Sequence, residues 1–235
     1  MPIVEGEWYH CFNRGVDKRR IFESITDYRR FLILLYVCNT KEIIHASDFN
    51  GKKFDTVFND PKLASKRKST LVDIGAYSLM PNHFHLLVRS KSNHGLGLFM
   101  QKVLTGYTMY FNRKNSRTGS LFAGSFKAKH VSDDLYFRHL ISYIHLNSAE
   151  TIDGGWKKGK GNIDKIRKHL TNDPYSSSSY FMSRLNLDTD KATDFVGVAP
   201  KIVSDSVFDC FEEMPSVEQM LAEADEYYSL KNVKV

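Results

Sequence analysis

Ala76-Tyr77-Ser78-Leu79-Met80-Pro81-Asn82-His83-Phe84-His85-Leu86-Leu87-Val88 carries the densest signal in the chain. It joins two strands, Leu71 to Met80 and Phe84 to Arg89, across the turn Met80-Pro81-Asn82. Side chains alternate faces along a strand, so His83 and His85 point to one side while Phe84 faces an apolar layer on the other. Two imidazoles on one strand face form a half-site for a divalent ion, although a pair of partly exposed histidines on a sheet surface has the same pattern.

Working outward, residues 7–13 are rich in aromatics and read as a strand, followed by the basic turn Arg14 to Arg20. Thr26 is the expected N-cap of a helix whose apolar positions run from Tyr28 through Phe31, Leu32, Leu34 and Leu35 to Cys38. About residues 39–69 form a Lys-rich insertion, expected to carry a hairpin, with Asn50-Gly51 and Asp60-Pro61 as turn signals. Downstream of the histidines, Gly95 to Asn115 has helical periodicity, and Arg117-Thr118-Gly119 breaks it. Phe126 to Val131 alternates as a strand buried on one side, and Asp133 caps a helix running to about Asn147.

The first six elements give an α+β fold, a ferredoxin-like βαββαβ core with an antiparallel sheet and helices on one face. The helix ending at Asn147 is an addition packed near that sheet. Residues 1–150 are read as one domain and 151–235 as a partly helical extension, with helices at Ile163 to Leu170 and Val217 to Leu230 and a polar turn at Ser176 to Ser179.

The 235 residues are 42% hydrophobic, enough for a core, and Lys plus Arg number 33 against 27 acids, a net +6 that suits a polyanionic partner. Three scattered cysteines make neither a disulfide framework nor a metal pair, and no secretory signal or membrane-length apolar run is seen. A cytoplasmic protein with no membrane partner is expected. No Gly-rich phosphate loop followed by lysine and no hydrolase triad is found, which argues against ATP use and serine hydrolysis.

On the added helix that ends at Asn147, Tyr143 and Asn147 lie one turn apart on one face. Asn147 offers a carbonyl oxygen as a third ligand for Mg²⁺ or Mn²⁺, and Tyr143 a phenol able to attack phosphorus. A buried aromatic and a C-cap amide would use the same residues. Arg14, Lys18, Arg19 and Arg20, then Arg113, Lys114, Arg117, Lys127 and Lys129, form two basic groups suited to backbone phosphates. Tyr9, Phe12 and Tyr110 are candidates for stacking on unpaired bases, and His139 shares a face with Tyr143.

Four pieces occur in a familiar order: Trp8-Tyr9-His10-Cys11-Phe12-Asn13-Arg14-Gly15, Ala76 to Val88, Gly119-Ser120-Leu121-Phe122, and Tyr143-Ile144-His145-Leu146-Asn147. Together they resemble the IS200-like single-tyrosine transposases of the HUH superfamily, and most closely their REP-associated branch. The resemblance implies metal-dependent cleavage and strand transfer of single-stranded or hairpin DNA through a 5′-phosphotyrosine link. It makes His83, His85 and Asn147 the ligands of a divalent metal, Mg²⁺ or Mn²⁺, and Tyr143 the nucleophile, in a protein that works as a monomer or homodimer. Ser148 stands where the family usually has proline, and Ser125 where many members carry arginine; neither change removes a catalytic candidate. Two other readings use the same features: a domesticated, non-cleaving binder of hairpin DNA or RNA, and a metal phosphodiesterase that attacks with water.

Overall fold

The computed structural model describes residues 2–44, 52–156, 161–184, 198–211, 213 and 215–223. Four strands, β1 (Trp8–Arg14), β2 (Val72–Met80), β3 (His83–Ser90) and β4 (Lys127–His130), form one antiparallel sheet in the order β2-β3-β1-β4. The helix between β1 and β2 is α1 (Ile25–Val37), preceding α2 (Phe54–Phe58) and α3 (Pro61–Lys66). After β3 comes α4 (Gly95–Lys114), and after β4 comes α5 (Asp134–Asn147). The ferredoxin-like βαββαβ order and pairing are as expected, with Val72, Ile74, Phe84, Leu86 and Val88 buried within it.

Helices α1 and α4 pack together on one face, where Phe31 meets Phe84 and Tyr107 at ring separations of 5.1 and 5.0 Å. Helix α5 covers the opposite face, with Phe137 edge-on to Trp8 at 5.5 Å. The sheet is therefore covered on both sides, which explains why Leu86, Leu87 and Val88 run consecutively apolar without alternation.

The start of α1 differs from expectation. Ser24, not Thr26, is the N-cap, because Asp27 at the third helical position accepts from the Ser24 N–H at 2.9 Å and closes a capping box. The Lys-rich insertion holds two short helices where a hairpin was expected. Phe54, Val57 and Phe58 recur at helical spacing, and Asp60 caps α3 by accepting from the Lys62 and Leu63 N–H groups. The Asn50-Gly51 signal lies outside the described residues.

The extension contributes α6 (Ile163–Asn172), α7 (Ser178–Arg184) and α8 (Ala199–Ile202), and residues 217–223 are helical. Of the helix expected from Val217 to Leu230, the part after residue 223 lies outside the described residues. Part of the polar serine run is a bridge to the sheet, since Leu79 N–H donates to the Tyr175 carbonyl at 2.9 Å and Ser177 N–H to that of Tyr77 at 3.0 Å. These bonds occupy the open edge of β2, which would otherwise invite pairing with another chain. Leu146, Ala149, Trp156, Ile166, Leu170, Met182, Val217 and Met220 form a second apolar cluster that seats the extension on the end of α5. Glu223 reaches Ser142 Oγ at 2.6 Å and Arg138 at 3.1 Å on the same helix. Among the described residues no helix is long and apolar enough to cross a membrane.

Candidate functional site

The register of β1, β3 and β4 places His83, His85, Arg14, Phe12, His10, Lys127 and Lys129 on the face covered by α5. Arg14 pairs with His83, Phe12 with both His85 and Lys127, and His10 with Lys129. A cleft of about 430 Å³ opens there, with Phe12, Asn13 and Arg14 on one wall, Asn82, His83 and His85 on another, and Ala123, Lys127 and Tyr143 completing it. Two full cations and, among the described residues, no carboxylate line it, so its field favours an anion.

Both cleft histidines are held through Nδ1. His83 Nδ1 lies 2.7 Å from Asn82 Oδ1, and the Asn82 amide nitrogen turns the other way toward the Lys18 carbonyl, so the imidazole donates. His85 Nδ1 lies 2.8 Å from His10 Nε2, with the two rings stacked at 5.0 Å. The His83 and His85 rings sit 5.0 Å apart. Hydrogen bonds of this kind fix the tautomer and direction of metal-binding histidines. Among the described residues no three His, Cys, Asp or Glu side chains converge as a metal group, so the pair is a two-donor half-site.

Tyr143 comes from α5, which begins where Asp133 accepts from the Tyr136 N–H at 2.7 Å. Its half-buried ring stands edge-on to His85 at 5.3 Å and to His10 at 6.0 Å. One chain thus brings the phenol and the histidine pair together. Asn147 is not brought to the cleft: it is 2% exposed, and its amide donates to the Tyr143 carbonyl at 2.7 Å, stitching the last turn of α5. His139 is also buried, outside the cleft lining.

The other expected contacts separate by position. Arg14 and Lys127 line the cleft, Lys129 is exposed beside it, and Lys18 is exposed on the turn after β1. Arg19 and Arg117 line a different cleft, while Arg113 is exposed on the last turn of α4. Lys114 is directed inward, 2.7 Å from the fully buried Asp27 carboxylate. Burial would raise the Asp27 pKa, but hydrogen bonds from Lys114, the Glu23 backbone, Tyr110 and Ser24 outweigh it and hold the carboxyl below its ordinary range. Of the three aromatics considered for base stacking, Phe12 lines the cleft, Tyr9 is buried in the core, and Tyr110 donates to Asp27 at 2.8 Å.

His10 is the residue the histidine motif alone does not reveal. Its signal is parity: two positions from Phe12 on β1, it must share the face of His85 once β1 and β3 pair.

A family model described as "Transposase IS200 like" matches residues 56–147, which include His83, His85, Tyr143 and Asn147. A solved structure titled "Structure of the REP associates tyrosine transposase bound to a REP hairpin" is similar at 13% identity and a TM-score of 0.46, over 92% of this chain and 96% of that one. No curated protein matches the chain.

Proposed function

We propose that this protein cuts and rejoins single-stranded DNA with Tyr143 as nucleophile, because residues 56–147 match the family model of the IS200-like transposases. The observation that supports this most is the Tyr143 ring standing edge-on to His85 in a cleft lined by Arg14 and Lys127 and, among the described residues, by no carboxylate. The Tyr143 oxygen forms a bond to phosphorus as the bond to the 3′ oxygen breaks. The phenolic proton is given up, and the departing oxygen takes one to become a 3′-hydroxyl. The product is a 5′-phosphotyrosine, and attack by another 3′-hydroxyl reverses the step and joins strands.

Arg14 and Lys127 bind the phosphate's neighbours, and Phe12 offers a ring to an unpaired base. His10 and Asn82 keep the two ligand imidazoles aimed. The donor set fits a divalent ion held by His83 and His85, which when bound polarises the scissile phosphate and offsets the charge gathering on its oxygens. Two imidazoles suit Mn²⁺ better than the harder Mg²⁺, with water filling the remaining positions. Asn147 would join that ion only after the last turn of α5 turned toward the cleft. An Asn147→Ala variant with full manganese-dependent cleavage would exclude it as a ligand.

The test is a labelled hairpin with a single-stranded flank, incubated with Mn²⁺ or Mg²⁺ and run on a denaturing gel. Cleavage should be greater with Mn²⁺ and absent with EDTA or in His83→Ala. Tyr143→Phe should cleave nothing while binding the hairpin with near wild-type affinity. Cleavage by Tyr143→Phe would instead support attack by water, and tight binding without any cleavage a non-cleaving binder.

A further inference from the structure

The wall of the cleft at Arg14 and Ala123 is one flank of a ridge made by two loops. Val16 N–H donates to the Leu121 carbonyl at 3.0 Å, Ala123 N–H to that of Arg14 at 2.8 Å, and Gly15 bridges Phe122. The far flank walls a separate cleft of about 350 Å³ lined by Arg19, Arg20, Glu23, Phe111, Asn115 and Arg117. Lys18 is exposed and lies along the chain between Arg14 of the first cleft and Arg19 of the second, which makes it the crest of the ridge.

The ridge has a fixed backbone. A side chain at position 15 would bring a Cβ within 2.4 Å of the Arg19 carbonyl oxygen, so glycine is required. Asp17 and Lys18 hold positive φ angles of 55° and 59°, a region non-glycine residues keep only where their surroundings impose it. Lys18 N–H donates to the Gly15 carbonyl at 3.0 Å, and the same Asn82 that orients His83 donates to the Lys18 carbonyl at 3.4 Å.

The guanidiniums beyond the crest are set in place as well. Arg19 Nε donates to the Val16 carbonyl at 3.2 Å and lies 3.7 Å from the Asp17 carboxylate, while Arg117 donates to the Ser120 carbonyl at 2.9 Å and to the Asn112 side chain. A guanidinium has five N–H donors, so both keep donors for a ligand. Among the described residues three guanidiniums line the cleft against the carboxylate of Glu23, and even with Asp17 beside Arg19 the balance stays cationic; arginine forks match phosphate oxygens in pairs.

We propose that this second cleft is a subsite for backbone phosphate of the single strand that leaves the Tyr143 cleft across Lys18. The inference rests on the reading of the protein as one that handles single-stranded DNA. It gives the strand a path along two flanks of one ridge, and it makes Arg19, Arg20 and Arg117 contacts that a substrate ending at Tyr143 does not reach.

Fluorescence anisotropy of the full chain tests this with two labelled hairpins, one with its flank ending at the cleavage site and one extended by about eight nucleotides, within the span of a single-strand groove. In Arg19→Gln/Arg20→Gln the salt dependence of binding the extended DNA should fall by about 1.4 in log–log slope, at about 0.7 per phosphate contact. Affinity for that DNA should drop several-fold, and affinity for the short one should hold. Arg19→Lys/Arg20→Lys should restore the slope, and Lys62→Gln/Lys66→Gln on α3 should change neither DNA. An unchanged slope with the extended DNA, or equal losses on both DNAs, overturns the subsite. Wild-type protein that forms no adduct overturns the Tyr143 reading alone, because anisotropy still judges this cleft.

Discussion

His85 and His83 differ in what holds them, and the difference is testable at one atom. His83 leans on the Asn82 amide within its own turn, whereas His85 leans on His10 from a neighbouring strand at 2.8 Å. Removing such a partner ordinarily costs about 10- to 100-fold in metal affinity or activity. His10→Ala should therefore weaken Mn²⁺-dependent cleavage by roughly that factor, recovering in part at high Mn²⁺, with hairpin binding retained; a wild-type Mn²⁺ titration would show that His10 orients nothing. Lys114 makes the opposite point about cations. Lys114→Ala leaves the buried Asp27 carboxylate without its ammonium, and breaking a buried pair costs about 3–5 kcal/mol. With Lys114 about a third exposed, a loss of about 2–4 kcal/mol in urea unfolding is expected, with little change in DNA affinity. A stable variant with weakened DNA binding would return Lys114 to the DNA surface. The facing of His83 and His85 follows from strand parity within one motif. Lys114 looks like its basic neighbours because its partner Asp27 lies 87 residues away, and no local pattern carries that pairing.

At the scale of elements, the long periodic segments were readable and the short or tertiary ones were not. Helices α1, α4 and α5 and the four strands follow from spacing, because each buries a continuous face. The insertion misled because its Lys content and turn signals concealed two single-turn helices, whose apolar residues make sense only against Tyr36 of α1 at 5.0 Å from Phe58. In the extension the helices at Ile163 and Val217 are legible, but α7 starts at Ser178 inside the expected polar turn, because Ser178 and Ser179 are buried with Phe181 and Met182. Neither α7 nor α8, nor the support the extension gives α5, is legible. His145 shows that support: its Nε2 meets Ser177 Oγ at 2.9 Å and its ring packs on Phe181 at 4.4 Å. Burial pushes its pKa down to about 3, from an ordinary 6.5. The unfolded chain therefore takes up a proton here below pH 6.5 that the folded chain refuses until about pH 3. Stability should fall as pH drops through that window, by at most about 1.4 kcal/mol per pH unit from this group. His145→Asn should flatten the fall between pH 7 and 5 in urea midpoints, and parallel curves for the two proteins would contradict the assignment.

Across the whole molecule, the sheet has one face closed by a helix pair and one on which the candidate cleft opens. Helices α1 and α4 close the first over Phe31, Phe84 and Tyr107. Helix α5 brings Tyr143 across the second, and Ser177, Met220 and Glu223 of the extension brace α5. The sequence motifs pointed to the phenol and the imidazoles, but their meeting in one cleft depends on strand order and on the seating of α5. The most direct test is mass spectrometry of protein reacted with single-stranded hairpin DNA and Mn²⁺, then digested with nuclease and trypsin. The account predicts a nucleotide phosphate on Tyr143 within the peptide from His139 to Lys157, absent in Tyr143→Phe. Cleaved DNA with that peptide unmodified, or with the phosphate on another residue, would contradict it.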